Sequence, residues 1–181
     1  SLVITADTGT SDRDAFLHAA DLGIDAIVTD HHRLSGDPPP VHAIVNPSIL
    51  GAPDGAEHMT GSGIAFKLAQ AVGRRMKHSG ANDAIALASL GTIADVGPLI
   101  GENRVIVFHG LNALSKSTHA GIRSLLKRAG VGKPGDVVTS EDVAFQIAPR
   151  LNAPGRLGSA GLSLDLLVCE DGERSEKLAD E

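Results

Sequence analysis

The chain opens on an unbroken apolar, β-branched run, Leu2-Val3-Ile4-Thr5-Ala6, which Asp7-Thr8-Gly9 ends. A continuous apolar run bounded by turn residues predicts a strand buried in a parallel sheet. Ser11, with Asp14 three positions on, has the form of a capping box. Apolar positions at Ala15, Phe16, Leu17, Ala19, Ala20 and Leu22 then predict a short helix that closes at Gly23. A second apolar run over 24–29 predicts a second strand, ended by Asp30-His31-His32. Residues 2–30 read as one βαβ unit with a polar cluster at the C-terminal end of each strand. That edge is where open α/β sheets bind ligands.

Pro38-Pro39-Pro40 marks an extended loop, and residues 42–45 form a third short strand stopped by Asn46-Pro47. Residues 48–60 read as Gly/Pro-punctuated loop. Gly61-Ser62-Gly63 opens a helix through Phe66, Leu68, Ala69 and Val72, and a further helix over 82–93 runs into Asp95. Beyond Gly101 the spacing is helical over 105–114, 121–129, 141–147 and 162–168, and an acidic tail follows. The predicted fold class is α/β: a parallel sheet over residues 1–60, then a mostly helical part over 61–181, the two forming one compact body.

Composition narrows the function classes. The 42% hydrophobic and 21% charged content of 181 residues is that of a globular protein with a real core. No run approaches the ~20 apolar residues of a membrane span, and no membrane partner is expected. Four Phe and no Trp or Tyr argue against a base-stacking platform. One cysteine, Cys169, excludes an internal disulfide and a cysteine-based zinc site, and its apolar neighbours place it in the core. The net charge of −6 is unevenly spread. Residues 110–135 hold Lys116, Arg123, Lys127, Arg128 and Lys133 with no acid, and residues 59–81 hold Lys67, Arg74, Arg75 and Lys77 with none. Such stretches track a phosphate backbone or are merely solvated helix faces, and sequence leaves both open. Without an initial methionine, and opening inside an apolar run, the chain is expected to be an internal piece of a longer protein.

The chemistry concentrates at Asp30-His31-His32. Two imidazoles and a carboxylate at a strand end place nitrogen and oxygen donors in one shell. Asp7 ends the neighbouring strand, ~4.8 Å away in a parallel pair. Asp95 is a lone carboxylate after a very apolar helix, and a charge there needs a partner. Mixed imidazole and carboxylate donors suit Mn²⁺, and carboxylates suit Mg²⁺. Against this, adjacent side chains in a strand point to opposite faces, and a single His is most often structural. That is the reading for His18, His42, His78, His109 and His119; His58 is the exception, because its loop can fold over the site. Gly61-Ser62-Gly63 offers backbone N–H groups to a phosphate, or is ordinary loop chemistry.

Asp7-Thr8-Gly9, Asp30-His31-His32 and Gly91-Thr92-Ile93-Ala94-Asp95-Val96 together resemble successive motifs of the DHH phosphoesterase superfamily. Residues 28–32, 43–47, 61–68, 101–104 and 148–156 resemble segments of its RecJ branch, single-stranded-DNA exonucleases, in order. The resemblance implies a Rossmann-like parallel sheet followed by helices. It implies that Asp7 bridges two Mn²⁺ or Mg²⁺ ions, that His31 and Asp95 ligate one, that Asp30 orients a ligand, and that His32 faces the scissile phosphate. Asp7, His31, His32 and Asp95 would thus carry two-metal phosphodiester hydrolysis, 5′ to 3′ on single-stranded DNA. Arg150, Asn152 and Arg156, on a segment read as irregular, would clamp the DNA backbone together with His32. It further implies a role in DNA repair and recombination in the cytoplasm, with a single-strand-binding protein or a helicase as partner. An Asp-x-Asp strand is expected before Ser1 and a Gly-Gly-His domain after the chain. The piece is therefore expected to be inactive alone, with an open sheet edge that favours dimerisation. Alternatives are a cyclic-dinucleotide or short-oligonucleotide phosphodiesterase, a non-catalytic replication scaffold, and a plain α/β binding domain.

Overall fold

A computed structural model describes residues 1–52, 55–78, 80–133 and 135–181; part of the loop expected over 48–60, residues 53–54, lies outside the described residues. The chain forms two compact units, Ser1–Val107 and Phe108–Glu181.

The first unit is built on three parallel strands in the order β1 (Leu2–Ile4), β2 (Asp25–Thr29) and β3 (Ala43–Val45). Leu2 pairs with Asp25 and Ile4 with Ile27, while Ile27 pairs with Ala43 and Thr29 with Val45. Val28 and Ala26 of β2 are buried against Phe16 of α1 (Arg13–Asp21), with Val41 and Ile44 packed alongside. β1, expected to be buried, is exposed at all three residues. Among the described residues it is an edge strand, paired with β2 alone. The Ser11–Asp14 capping box does not form. Asp12 is the cap residue, without a side-chain hydrogen bond, and the Ser11 hydroxyl accepts from Ser35 N instead. Part of the expected loop is a short helix, α2 (Pro47–Leu50). The Asn46 side chain starts it by accepting from Ser48 N at 2.8 Å, and Pro47 sits in the first turn, where its missing N–H is no loss.

Thr60 caps α3 (Gly61–Arg75) by accepting from Gly63 N. A 3₁₀ turn, Gly80–Ala84, leads into α4 (Ile85–Ala94). The two helices approach so closely at Gly91 that a Cβ there would overlap Ser62. Met59, Ile64, Phe66, Ala88 and Ile106 form the core beside them, Ile106 from the first half of α5 (Gly101–Ser115).

The second unit is helical: α6 (Ala120–Ala129), α7 (Ser140–Asp142), a π-helical turn Val143–Ile147, α8 (Ala148–Arg156), α9 (Gly161–Val168) and α10 (Gly172–Asp180). Val138, Val143, Ile147, Ile122 and Leu166 are buried in it, as is Cys169. One expectation is corrected here. The segment around Arg150, read as irregular from its prolines, is helix: Pro149 occupies the first turn and Pro154 the last. The acidic tail is also helix, because Asp171 caps α10 by accepting from Arg174 N, and α10 packs on α6 through a buried Ser124–Ser175 hydroxyl pair. That packing pairs Lys127 with Glu176 and Arg128 with Asp180, so part of the 110–135 basic stretch is matched by acid. Among the described residues no helix is long and apolar enough to cross a membrane.

Candidate metal centre

Parallel pairing continues past the end of β1 and carries the first motif to the second. Thr5 N donates to Ile27 O, Thr29 N to Thr5 O, and Asp7 N to Thr29 O at 3.0 Å, so Asp7 lies opposite the start of Asp30-His31-His32. Asp7 then takes a left-handed backbone, φ +64°, which a short polar side chain tolerates. Its carboxylate lies against the first residue of α3: a Cβ on Gly61 would overlap it. Gly61 is therefore the close-approach glycine that seats Asp7, and the end of a helix with free N–H groups favours an anion there.

β2 ends at Thr29, so the strand rule that separates adjacent side chains does not govern His31 and His32. The chain turns around Asp30, and the two rings lie 4.5 Å apart. Asp30 is 1% exposed. Its Oδ2 accepts from Thr10 N at 2.9 Å, and its Oδ1 accepts from His31 N at 2.8 Å and His32 N at 3.3 Å and meets His32 Nδ1 at 2.7 Å. Burial pushes the Asp30 carboxyl up, but the hydrogen bonds from Thr10 and His32 outweigh it and hold the group well below the usual carboxylate range. The bond to Asp30 in turn pushes the His32 imidazole up from its ordinary value. Asn46, also buried, donates to Thr10 Oγ1 and to His32 O, tying the ends of β2 and β3 around the turn.

His31 is the pivot. Its Nε2 lies 3.0 Å from Asp7 Oδ1 and 3.7 Å from Asp95 Oδ2. Yet Nε2 is buried and has no hydrogen-bond partner, because the Asp7 carboxylate is not aligned to receive an N–H and the Asp95 oxygen lies beyond hydrogen-bond distance. An imidazole nitrogen and two carboxylates that converge without bonding one another are a donor set for a hard or borderline divalent cation, and they fit Mn²⁺ or Mg²⁺. Asp95 is delivered by the end of α4, its N–H closing on Gly91 O. Ligand atoms of Asp7, Asp30, His31 and His32 lie within 4.8 Å of one another. Proximity alone would count Asp30 as a ligand, but its oxygens are spent on hydrogen bonds, and the chemistry favours Asp7, His31 and Asp95 as donors with Asp30 behind them.

Other candidates fall elsewhere. His58 is exposed outside the cluster, and its carbonyl, not its ring, is engaged, by Asn103 Nδ2. Arg150, Asn152 and Arg156 are exposed on α8 in the second unit, and Arg150 Nη1 donates to Gln146 O. Asn152 and Arg156, four residues apart, share a helix face, while Arg150 is two residues from Asn152 and faces away. Sequence reading did not single out Thr10 or Asn46. Asn46-Pro47 was a visible signal, since Asn before Pro marks a turn that its side chain can organise.

Residues 1–93, just over half the chain, match the model of the DHH family, N-terminal domain. The chain belongs to the DHH family. Among curated DHH relatives it is 40% identical over its whole length to the single-stranded-DNA-specific exonuclease RecJ of Bacillus subtilis, of which it covers 22%. It is 39% identical to the RecJ of Thermus thermophilus, covering 26% of that protein. The DHH chain thus spans about a quarter of the length of these relatives. Two crystal structures of RecJ from Thermus thermophilus superpose on 99% of it. The complex with Mn²⁺ has a TM-score of 0.87 at 38% identity over 26% of the solved chain, and the complex with Mg²⁺ has 0.75 at 36% over 24%. The parallel sheet with a mostly helical remainder is the fold these structures share with it.

Proposed function

We propose that this DHH chain is the metal-holding part of a RecJ-type exonuclease that hydrolyses phosphodiester bonds of single-stranded DNA, 5′ to 3′. The observation that carries the reading is His31 Nε2, buried, without a hydrogen bond, and facing the carboxylates of Asp7 and Asp95. Asp7, His31 and Asp95 would hold the metal, Mn²⁺ or Mg²⁺, and Asp7, whose carboxylate lies against the start of α3, would be the carboxylate shared between two ions. When bound, the ions activate water and neutralise charge on the phosphate.

The chain's own residues do the rest. Asp30 accepts the backbone N–H groups of both histidines and fixes the turn that aims them. His32 stays protonated to higher pH because of its bond to Asp30, and its exposed ring offers an N–H to the scissile phosphate. Arg150, Asn152 and Arg156 contact the DNA backbone, Arg as a planar fork matched to phosphate. Residues 1–60 supply the strand-end cluster, and residues 61–181 supply Asp95 and the backbone contacts. The whole protein acts in repair and recombination in the cytoplasm, with a single-strand-binding protein or a helicase delivering DNA.

The test is Mn²⁺ calorimetry on the 181-residue chain beside Asp7→Ala and His31→Ala, followed by cleavage of a labelled oligonucleotide by the full-length protein. Binding lost in both variants, with cleavage of long single strands exceeding that of a dinucleotide, supports the reading. Preferred turnover of the dinucleotide points instead to a short-oligonucleotide phosphodiesterase. Binding unchanged in both variants overturns the site.

A further inference from the structure

The segment that follows Asp95 carries three exposed aliphatic side chains, Val96, Leu99 and Ile100. Val96 is the extreme case: it is 86% exposed and its backbone is left-handed, φ +56°. A β-branched residue crowds its own backbone there, which is why such positions fall to Gly or Asn.

A loose loop does not explain the conformation, because hydrogen bonds fix the backbone on both sides. Val96 N donates to Ile93 O and Gly97 N to Thr92 O. Asn103, 1% exposed, donates from Nδ2 to Pro98 O at 3.1 Å and to His58 O at 2.6 Å. Gly97 lies so close to the α3 cap that a Cβ on it would overlap Thr60. The surroundings therefore impose the left-handed conformation at position 96, and glycine would serve the fold better there. An exposed isopropyl group contributes no burial in return. Strain held by an over-determined backbone, with no gain to the chain itself, is a mark of a contact made with something outside it.

We infer that Val96 is a substrate-contact residue. With Leu99 and Ile100 it forms an apolar ledge next to Asp95. The ledge takes the sugar edge and base face of the nucleotide whose phosphate lies at the Asp7–His31–Asp95 cluster. The chemistry is complementary, since a nucleotide is anionic at its phosphate and apolar on its deoxyribose carbons and base face. The inference rests on the nuclease reading above and deepens it by naming what grips the nucleoside part.

The experiment compares Val96→Gly and Val96→Thr with the wild type. Val96→Thr keeps the shape and strain but replaces a methyl with a hydroxyl. Thermal melting and Mn²⁺ calorimetry use the 181-residue chain. Anisotropy of a fluorescein-labelled oligothymidylate, in Ca²⁺ to suppress turnover, uses the full-length protein. The expected result is a Val96→Gly chain that melts no lower than wild type and binds Mn²⁺ within about twofold of it, with oligonucleotide affinity reduced by about 5- to 10-fold. Val96→Thr should lose a smaller share of affinity. A lower melting temperature for Val96→Gly makes Val96 a packing residue and overturns the inference, as does oligonucleotide binding unchanged in both variants. A wild type that binds Mn²⁺ and cleaves DNA while Val96→Gly is indistinguishable from it overturns this inference alone. A wild type that does neither removes the nuclease reading and the inference with it.

Discussion

Asp30 and Arg150 are both charged and both belong to motifs of the family resemblance, yet the fold treats them in opposite ways. Asp30 is buried, and its oxygens meet Thr10, His31 and His32. Arg150 is exposed on a helix, and its guanidinium folds back onto the carbonyl of Gln146. At the strand ends, geometry is set before any ligand arrives, because burial makes every unmade hydrogen bond expensive and so fixes each made one. On α8 the charge sits on a flexible arm whose interaction with a polyanion is Coulombic, adaptable and screened by salt. Changes at the first region should therefore act sharply on metal affinity and also on stability. Changes at the second should act gradually on DNA affinity and leave stability alone.

The largest effect should come from His31→Ala, which removes the nitrogen that faces both carboxylates. Mn²⁺ affinity should fall by more than about 100-fold, beyond the range seen when only a supporting residue is lost. Calorimetry reads this directly, and retained affinity would place the metal elsewhere. Gly61→Ala is a sharper probe because it touches no ligand. The added Cβ overlaps the Asp7 carboxylate, so Asp7 must move, and affinity should fall by about 10- to 100-fold while the helix itself tolerates alanine. An unchanged affinity would show that Asp7 is not held where the metal needs it.

Asp30→Asn comes next and joins the two kinds of effect. It keeps the shape but loses the charge, and at pH 7 it should cost about 1–3 kcal/mol in urea unfolding and about 10-fold in Mn²⁺ affinity. The pH dependence has a definite sign. The folded Asp30 pKa is depressed, so its contribution is fully present above the unfolded value of about 3.9 and is lost as pH falls below that value through the folded one. Wild type and variant should therefore differ at pH 7, lose that difference progressively below about pH 3.9, and converge only once pH has fallen through the folded value. A gap that persists there would mean that packing, not charge, makes the difference.

How much of this was legible in the sequence depends on what each feature rests on. The βαβ unit was readable because apolar runs at 2–6 and 24–29 are bounded by turn residues, and parallel pairing then places Asp7 beside Asp30 as a matter of register. Asp95 was readable as a charge at the end of an apolar helix. Thr10 was not, because a polar residue that braces a turn looks like any other polar residue until its partners are known, and Asn46 was readable only as a turn marker before Pro47. Ser11 misled because its hydroxyl found Ser35 N, a partner outside the local pattern. The prolines of α8 misled because Pro149 lies in the first turn, where its missing N–H is no loss, and Pro154 comes only in the last turn, where the helix is about to end. Gly61 was seen as a glycine at a helix start, but the reason for it is a carboxylate from 54 residues earlier in the chain, which no local window contains.

The smallest expected effects lie on α8 and test the other half of the comparison. In the full-length protein, Arg150→Ala or Arg156→Ala should each weaken single-stranded DNA binding modestly. If the arm contacts one phosphate, each should lower the slope of log affinity against log salt by about 0.7. Folding stability should change by less than about 0.5 kcal/mol, since neither side chain is buried. Helix geometry makes the test finer. Asn152 and Arg156 share a face, so in a double-mutant cycle their effects on DNA affinity should couple. Arg150, on a different face, should add to either independently. Coupling of Arg150 with Asn152 would mean that the helix changes shape on binding DNA. A salt slope unmoved by any of the three would leave these arginines as solvated charge and would place the backbone contacts on other residues.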